Sequence, residues 1–176
     1  MAHLTPLLAF RWSPRAFHPT AELTGDEAAS LLEAARWAPS AGNAQPWRFA
    51  LGRRDDETWK RILVSLTGAD QRWARHAAAL VVGAHVAGDP ERCAYDLGQS
   101  IAHLSVQATA LGLYVRQIRD FDRAALAADL DLSTGVRPLV VTAVGPLGDP
   151  SALPGDLLRR ETALRRRHPV HALLLG

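Results

Sequence analysis

Arg11-Trp12-Ser13-Pro14-Arg15 sets two guanidiniums on either side of a hydroxyl. Arginine forks match phosphate oxygens, and serine adds a neutral donor. The stretch reads either as a phosphate-holding arm or as a solvated basic turn. A second basic cluster, Arg165-Arg166-Arg167-His168-Pro169, follows Arg159-Arg160. By itself it is a charged helix end, where cations meet the helix dipole favourably. It becomes a phosphate partner only if it meets Arg11 and Arg15 in space. Between them in sequence lies Pro39-Ser40-Ala41-Gly42-Asn43-Ala44-Gln45-Pro46-Trp47. A loop of small and amide residues bracketed by prolines is rigid and rich in hydrogen-bonding groups. Such a surface suits a flat heteroaromatic ligand with polar edges.

The familiar catalytic patterns are missing. The chain has no G-x-S-x-G elbow, P-loop, H-E-x-x-H or G-x-G-x-x-G. Its seven histidines are scattered without metal-ligand spacing, and Cys93 is the lone cysteine. We assign no catalytic side chain and no metal ligand. Phosphate-holding elements without an acid, base or nucleophile point to a cofactor that carries the chemistry.

The remaining composition bounds the setting. The 176 residues suffice for one domain, 1–176, with a substantial core. Hydrophobic residues make up 48% and charged residues 22%, as in ordinary globular proteins. A formal charge of +2 and no recognisable binding module argue against a nucleic-acid partner. No apolar run reaches membrane-spanning length, so no membrane partner is expected. One cysteine and no evident signal peptide make the cytoplasm the expected location.

The elements that must position these residues follow from periodicity. Thr24-Gly25-Asp26-Glu27 has the form of a capping box, with Leu23 as a hydrophobic staple. Ala28, Leu31, Leu32 and Ala35 then mark an amphipathic helix over 25–37. Strands are expected at 47–51, 80–84, 113–118 and 139–144, and shorter helices at 58–66 and 122–130. The longest periodic segment is 95–111, with Gly112 placed to cap it. One stripe of this helix is Leu97, Ile101, Leu104, Ala108 and Leu111; a second, of small residues, is Gly98, Ala102, Ser105 and Thr109. Such a helix packs on two sides, either inside a monomer core or against a second subunit. Asp96 reads as a helix N-terminal charge. Residues 157–167 are expected as a basic helix stopped by Pro169, and Val170 to Leu175 as a terminal strand. The mixture lacks a strict βαβ rhythm and favours an α+β domain.

Three blocks resemble the FMN-dependent nitroreductase family. Arg11-Trp12-Ser13-Pro14-Arg15-Ala16-Phe17 is similar to an R-x-S-x-[RK]-x-F entry segment. Residues 33–49 are similar to the helix followed by A-P-S-x-x-N-x-Q-P-W-x-F, the most specific block. Asp96-Leu97-Gly98, with Leu104, Ala108 and Leu111-Gly112-Leu113, is similar to the family's long interface helix.

The resemblance implies an α/β sandwich with a mostly antiparallel central sheet flanked by helices, built as an intertwined homodimer with two FMN sites. It implies that Arg11, Trp12, Ser13 and Arg15 hold FMN from one subunit, with Arg11 at the phosphate and Arg15 near the N1–C2 edge. Pro39, Ser40, Ala41 and Asn43 would line the flavin from the other subunit. Gln71 falls near a family amide that touches the pyrimidine ring. Backbone groups at Ile118 and Arg119 would face flavin N5, although Arg119-Asp120 stands where many members carry glycine. Arg165 and Arg167 would reach the phosphate, and 169–176 would extend to the partner subunit and add an edge strand there. The implied activity passes hydride from NADH or NADPH through FMN to a small acceptor such as a nitroaromatic or quinone. Flavin-consuming, dehalogenating or azoline-oxidising relatives, and a non-catalytic flavin- or nucleotide-binding protein, remain alternatives. The short stretch from Asp120 to Arg137 leaves little to build a lid, which implies an open site.

Overall fold

The computed structural model describes residues 3–175. Four strands form the sheet: β1 (Trp47–Arg53), β2 (Ala79–His85), β3 (Tyr114–Ile118) and β4 (Arg137–Gly145). Their order is β1-β2-β4-β3, and every pairing is antiparallel. β2 lies inside the sheet and is buried along its whole length, so its sequence Ala-Leu-Val-Val-Gly-Ala-His is apolar on both faces. β3 is an edge strand and leaves one row of backbone groups unpaired by the sheet.

Helices cover both faces. On one face Leu80 and Val82 of β2 pack with Trp59 and Ile62 of α3 (Glu57–Ser65), Trp73 of α4 (Gly68–Ala74), Leu126 of α6 (Arg123–Asp129) and Leu157 of α7 (Gly155–Glu161). On the other face Val81 and Val144 meet Leu31 and Ala35 of α2 (Gly25–Arg36) and Leu104 and Ala108 of α5 (Pro90–Ala110). The short α1 (Pro6–Phe10) lies against α5. This is the expected sandwich.

Local signals explain most boundaries. The capping box forms as expected: Glu27 N–H donates to Thr24 Oγ1 at 3.2 Å, and Thr24 N–H donates to the Glu27 carboxylate at 2.8 Å. Gly112 takes φ +72° just past α5. Leu113 N–H then donates to Ala108 O at 2.8 Å and Gly112 N–H to Thr109 O at 3.1 Å, the Schellman arrangement.

Four expectations need correction. α5 begins at Pro90, not Tyr95, because the Asp89 carboxylate caps the N–H groups of Glu91 and Arg92. Asp96 therefore sits in the second turn, buried, and is no first-turn charge. α7 ends at Glu161 rather than Arg167; the chain beyond is drawn off by Arg165, whose fork binds the carbonyls of Ala9 and Arg11. Residues Val170–Leu173 form a 3₁₀ turn instead of a strand, since no strand of this protomer's sheet pairs with them. The helix α4, unassigned in the sequence, is capped by Thr67 through the N–H of Asp70.

Candidate functional site

The chain leaves α1 at Phe10 and runs without helix to Phe17, which bridges to Leu147. Gly148 N–H donates to Ala16 O at 2.8 Å and His18 N–H to Pro146 O at 3.0 Å. The arm 11–17 is thus pinned at its far end.

At the near end Arg165 and Arg167 lie close enough for their charges to act on Arg11. Arg165 donates to the carbonyls of Ala9 and Arg11, both at 2.8 Å. Burial lowers the Arg11 pKa below the ordinary arginine value, and the nearby charges of Arg165 and Arg167 lower it further. None of the three pairs with a carboxylate among the described residues. Like charges held together without a counter-charge disfavour each other's ionised form. An anion with several oxygens relieves that, and planar forks suit a phosphate.

The far end of the arm is the opposite case. The buried Glu161 carboxylate accepts from Arg15 N–H at 2.9 and 3.0 Å and from Ala16 N–H at 3.4 Å. The Arg15 guanidinium lies 3.9 Å from it. Arg116 of β3 donates to Ser13 O at 2.8 Å and sits over the Trp73 ring, 5.4 Å from its centroid. Burial lowers the Arg116 pKa, the charge of Arg15 adds to this, and Glu161 and Asp70 oppose it.

Two grooves adjoin at Gln117 of β3. One, about 330 Å³, is lined by Leu8, Arg11, Ser13, Ala102 and Ser105. The other, about 340 Å³, is lined by Tyr95, Gly98, Ile101, Arg119 and Leu139. Together they make a trough from the guanidinium cluster along the small-residue face of α5 to the end of β3. A Cβ added at Gly98 would meet nothing within 4 Å, so this face is open. The trough has the size and mixed lining of a small-molecule site. Trp12 lies on the arm's other side, in a recess of about 300 Å³ with Phe10 and Tyr114.

The turn at 39–45 is held by left-handed backbone and by its own hydrogen bonds. Gly42, Asn43 and Gln45 all take left-handed φ, at +61°, +56° and +47°. Gln45 N–H donates to Ser40 Oγ at 3.0 Å, and Gln45 Nε2 to Asn43 O at 3.2 Å. Ala41 N–H donates at 3.2 Å to Asp96, which anchors the turn on α5. Pro39 and Asn43 are exposed. Asp96 and Ser100 lie on the side of α5 that faces α2, where Ser100 Oγ donates to Ala35 O at 2.7 Å. Ala102 and Ser105 lie on the other side, and Asp96 is about 13 Å from Ser105 along the axis. One protomer therefore does not bring the turn and the arm together.

The other sequence candidates are placed as follows. Gln71 donates its amide N–H groups to Val64 O at 3.3 Å and Leu66 O at 2.8 Å, so only its carbonyl oxygen is left for a ligand. Ile118 buries its side chain in the core, which leaves only its backbone to face a ligand; Arg119 is exposed and lines the trough. Arg116 and Glu161 escaped the sequence reading, and Gln117 entered it only as the first residue of the segment 117–121 expected near flavin N5. The available signals were two adjacent polar residues inside an apolar strand, and one acid within a basic helix.

A model of the family described as the nitroreductase family matches residues 8–146. The chain belongs to the nitroreductase family. Arg165, Arg167 and Glu161 lie beyond the matched span, and only the fold returns them to the arm. Among solved structures, an oxidoreductase described as containing FMN is 31% identical, with 99% of this chain and 91% of that one covered at a TM-score of 0.90. A candidate nitroreductase from Desulfovibrio desulfuricans, solved in complex with FMN, has the same fold at 21% identity, covering 99% and 98%, with TM-score 0.82. An uncharacterised 15.4 kDa protein of Mycolicibacterium smegmatis is 33% identical over 132 residues, 68% of this chain and 88% of that protein. YdgI of Bacillus subtilis, named as a candidate NAD(P)H nitroreductase, is 29% identical over 121 residues, which span 69% of this chain and 53% of YdgI.

Proposed function

We propose that this chain is an FMN-dependent oxidoreductase that passes hydride from NADH or NADPH to a small electrophilic acceptor, such as a nitroaromatic or quinone. The observation that carries this is the approach of Arg165 and Arg167 to Arg11, with no acidic partner for any of the three among the described residues, at the head of a trough along α5. FMN supplies the electron transfer when bound. Arg11, Arg165 and Arg167 would hold its phosphate by charge-assisted hydrogen bonds. Ser13 and Gln117 line the trough on the way to the ring. Arg15 would place a cation near the N1–C2 edge, where a fixed charge stabilises added negative charge. The free edge of β3 offers backbone donors near Ile118 and Arg119.

The Pro39–Asn43 turn completes this site only if a second protomer supplies it, so the reading includes a homodimer. Exposed apolar residues support this. Leu7 and Leu8 of α1, Trp37 and Val106 line a groove of about 710 Å³ between α1, α2 and α5. Phe10, Trp37, Leu173 and Leu174 are more than half exposed, and large exposed apolar areas mark interaction surfaces. The 169–176 segment would lie on the partner.

Purified protein tests the reading directly. The expected result is a flavin absorption band that NADH or NADPH bleaches anaerobically and a nitroaromatic restores, in a species sedimenting as a dimer. A colourless protein that takes up no added FMN refutes it. Bound flavin that no reduced nicotinamide bleaches would support the non-catalytic alternative.

A further inference from the structure

Resting on the FMN reading above, we infer that Glu161 is a positioning residue that fixes Arg15 and tempers its charge at the ring end of the site. The Glu161 and Arg15 side chains are 4% and 16% exposed. Both Glu161 oxygens take the N–H of Arg15, and one also takes that of Ala16. The backbone carrying Arg15 therefore cannot slide along the sheet edge. The same carboxylate lies 3.9 Å from the Arg15 guanidinium, so the cation Arg15 offers is partly compensated. Arg116 braces the arm from the other face by its bond to Ser13 O, and Trp73 supports Arg116. Trp73 is held in turn by its Nε1 bond to Asp70 at 2.9 Å.

The consequence concerns reduction. Hydride transfer delivers two electrons and one proton, so the cofactor gains one negative charge. A bare Arg15 would stabilise that charge most; Arg15 paired with Glu161 stabilises it less. Glu161 thereby holds the bound cofactor at a lower potential than the arginines alone would give. At the phosphate end no carboxylate among the described residues pairs with the cations, and the charge of the phosphate does not change on reduction.

The experiment uses the whole protein in two forms. In the FMN-loaded form, Glu161→Gln keeps an acceptor for the arm but removes the charge. The expected result is an affinity ratio for reduced over oxidised FMN raised about tenfold, an upward shift of about 30 mV for a two-electron couple. Arg15→Gln is expected to shift the potential downward. In that background Glu161→Gln is still expected to raise the ratio, because the fields of the two side chains at the cofactor add. In flavin-free protein, the Arg15 and Ala16 amides are expected to exchange slowly. Glu161→Ala should speed both at least about tenfold while the amide of Val141 in β4 stays protected. An unchanged or lowered potential in Glu161→Gln, or fast exchange in wild type, would overturn the inference. Protected amides that Glu161→Ala releases, in a wild-type chain that binds no FMN, support the clamp and refute the FMN reading. FMN bound with freely exchanging amides overturns the clamp alone.

Discussion

Arg11 and Arg15 leave the same short arm and meet opposite surroundings. Arg11 joins Arg165 and Arg167, with no carboxylate among the described residues to balance them. Arg15 meets a buried carboxylate whose oxygens also hold its own N–H. One end of the arm gathers like charges; the other is satisfied by the protein alone. On the reading proposed above, affinity and stability are divided along five residues. On that reading the cations at the near end hold a ligand, while Arg165 also ties the C-terminal segment to the carbonyls of Ala9 and Arg11. The ion pair at the far end ties the arm to α7, and on the inference above it also sets how much bare charge Arg15 offers.

The largest effect should come from breaking the satisfied end. Glu161→Ala strands two backbone donors and leaves the guanidinium of Arg15 without its partner. Unfolding free energy should fall by about 3 kcal/mol, the usual cost of removing one member of a buried, hydrogen-bonded pair. Urea melts of flavin-free protein measure it. A loss below about 0.5 kcal/mol, the size of an ordinary surface change, would mean that the far end is not self-satisfied.

Arg11→Ala should act the other way round. FMN affinity should drop by about 1.5–3 kcal/mol, the worth of a charge-assisted contact, or roughly ten- to a hundredfold. Flavin-free stability should hold or rise slightly, because one of three mutually repelling charges has gone. Fluorescence titration with FMN and a parallel melt read both quantities on one preparation. Unchanged affinity with lost stability would exchange the roles given to the two ends.

The sequence disclosed these ends unequally. The near end was legible as two basic clusters and a serine, but their meeting was only a condition. Arg165 reaches Arg11 across 154 positions, and no local pattern records such a separation. The turn at 39–45 was plain, because Pro, Gly and Asn write backbone conformation directly into sequence. The strands and most helices followed from period. What stayed hidden was set by tertiary contact. Arg116 looked like an ordinary edge-strand polar residue until Ser13 and Trp73 closed around it. Glu161 looked like one more charge on a basic helix, and α7 was drawn too long because the fork of Arg165 overrides its propensity. Asp96 passed as a helix-terminal charge because the Asp89-Pro90 start was missed, although that pair is a helix-start signal. The C-terminal turn Val170–Leu173 pairs with no strand of this protomer's sheet, and its apolar run alone does not record whether an edge is within reach.

A smaller effect should come from Arg116→Met, which keeps bulk under Trp73 but abandons the Ser13 carbonyl. The lost bond and ring contact are each worth about 1 kcal/mol. Relief of the buried charge, visible as the lowered Arg116 pKa, offsets part of that. A net destabilisation of about 1 kcal/mol is expected, with a weaker effect on FMN than Arg11→Ala. If Arg116→Met instead matches Arg11→Ala in affinity, the brace is itself part of the binding end.

Salt should give the smallest and most discriminating difference. The near-end cations are partly exposed, and screening shortens from about 10 Å at 0.1 M to about 3 Å at 1 M. FMN affinity of the wild type should therefore fall several-fold over that range, since its phosphate meets cations that water also reaches. Arg165→Ala removes one of those cations and should flatten the slope. Glu161→Gln alters only the buried pair, which salt hardly screens, and should leave the slope unchanged. Equal slopes in wild type and Arg165→Ala would place the phosphate away from the cluster. A slope changed by Glu161→Gln would mean that the two ends act as a single field, because a charge felt only through the buried clamp has no reason to respond to added ions.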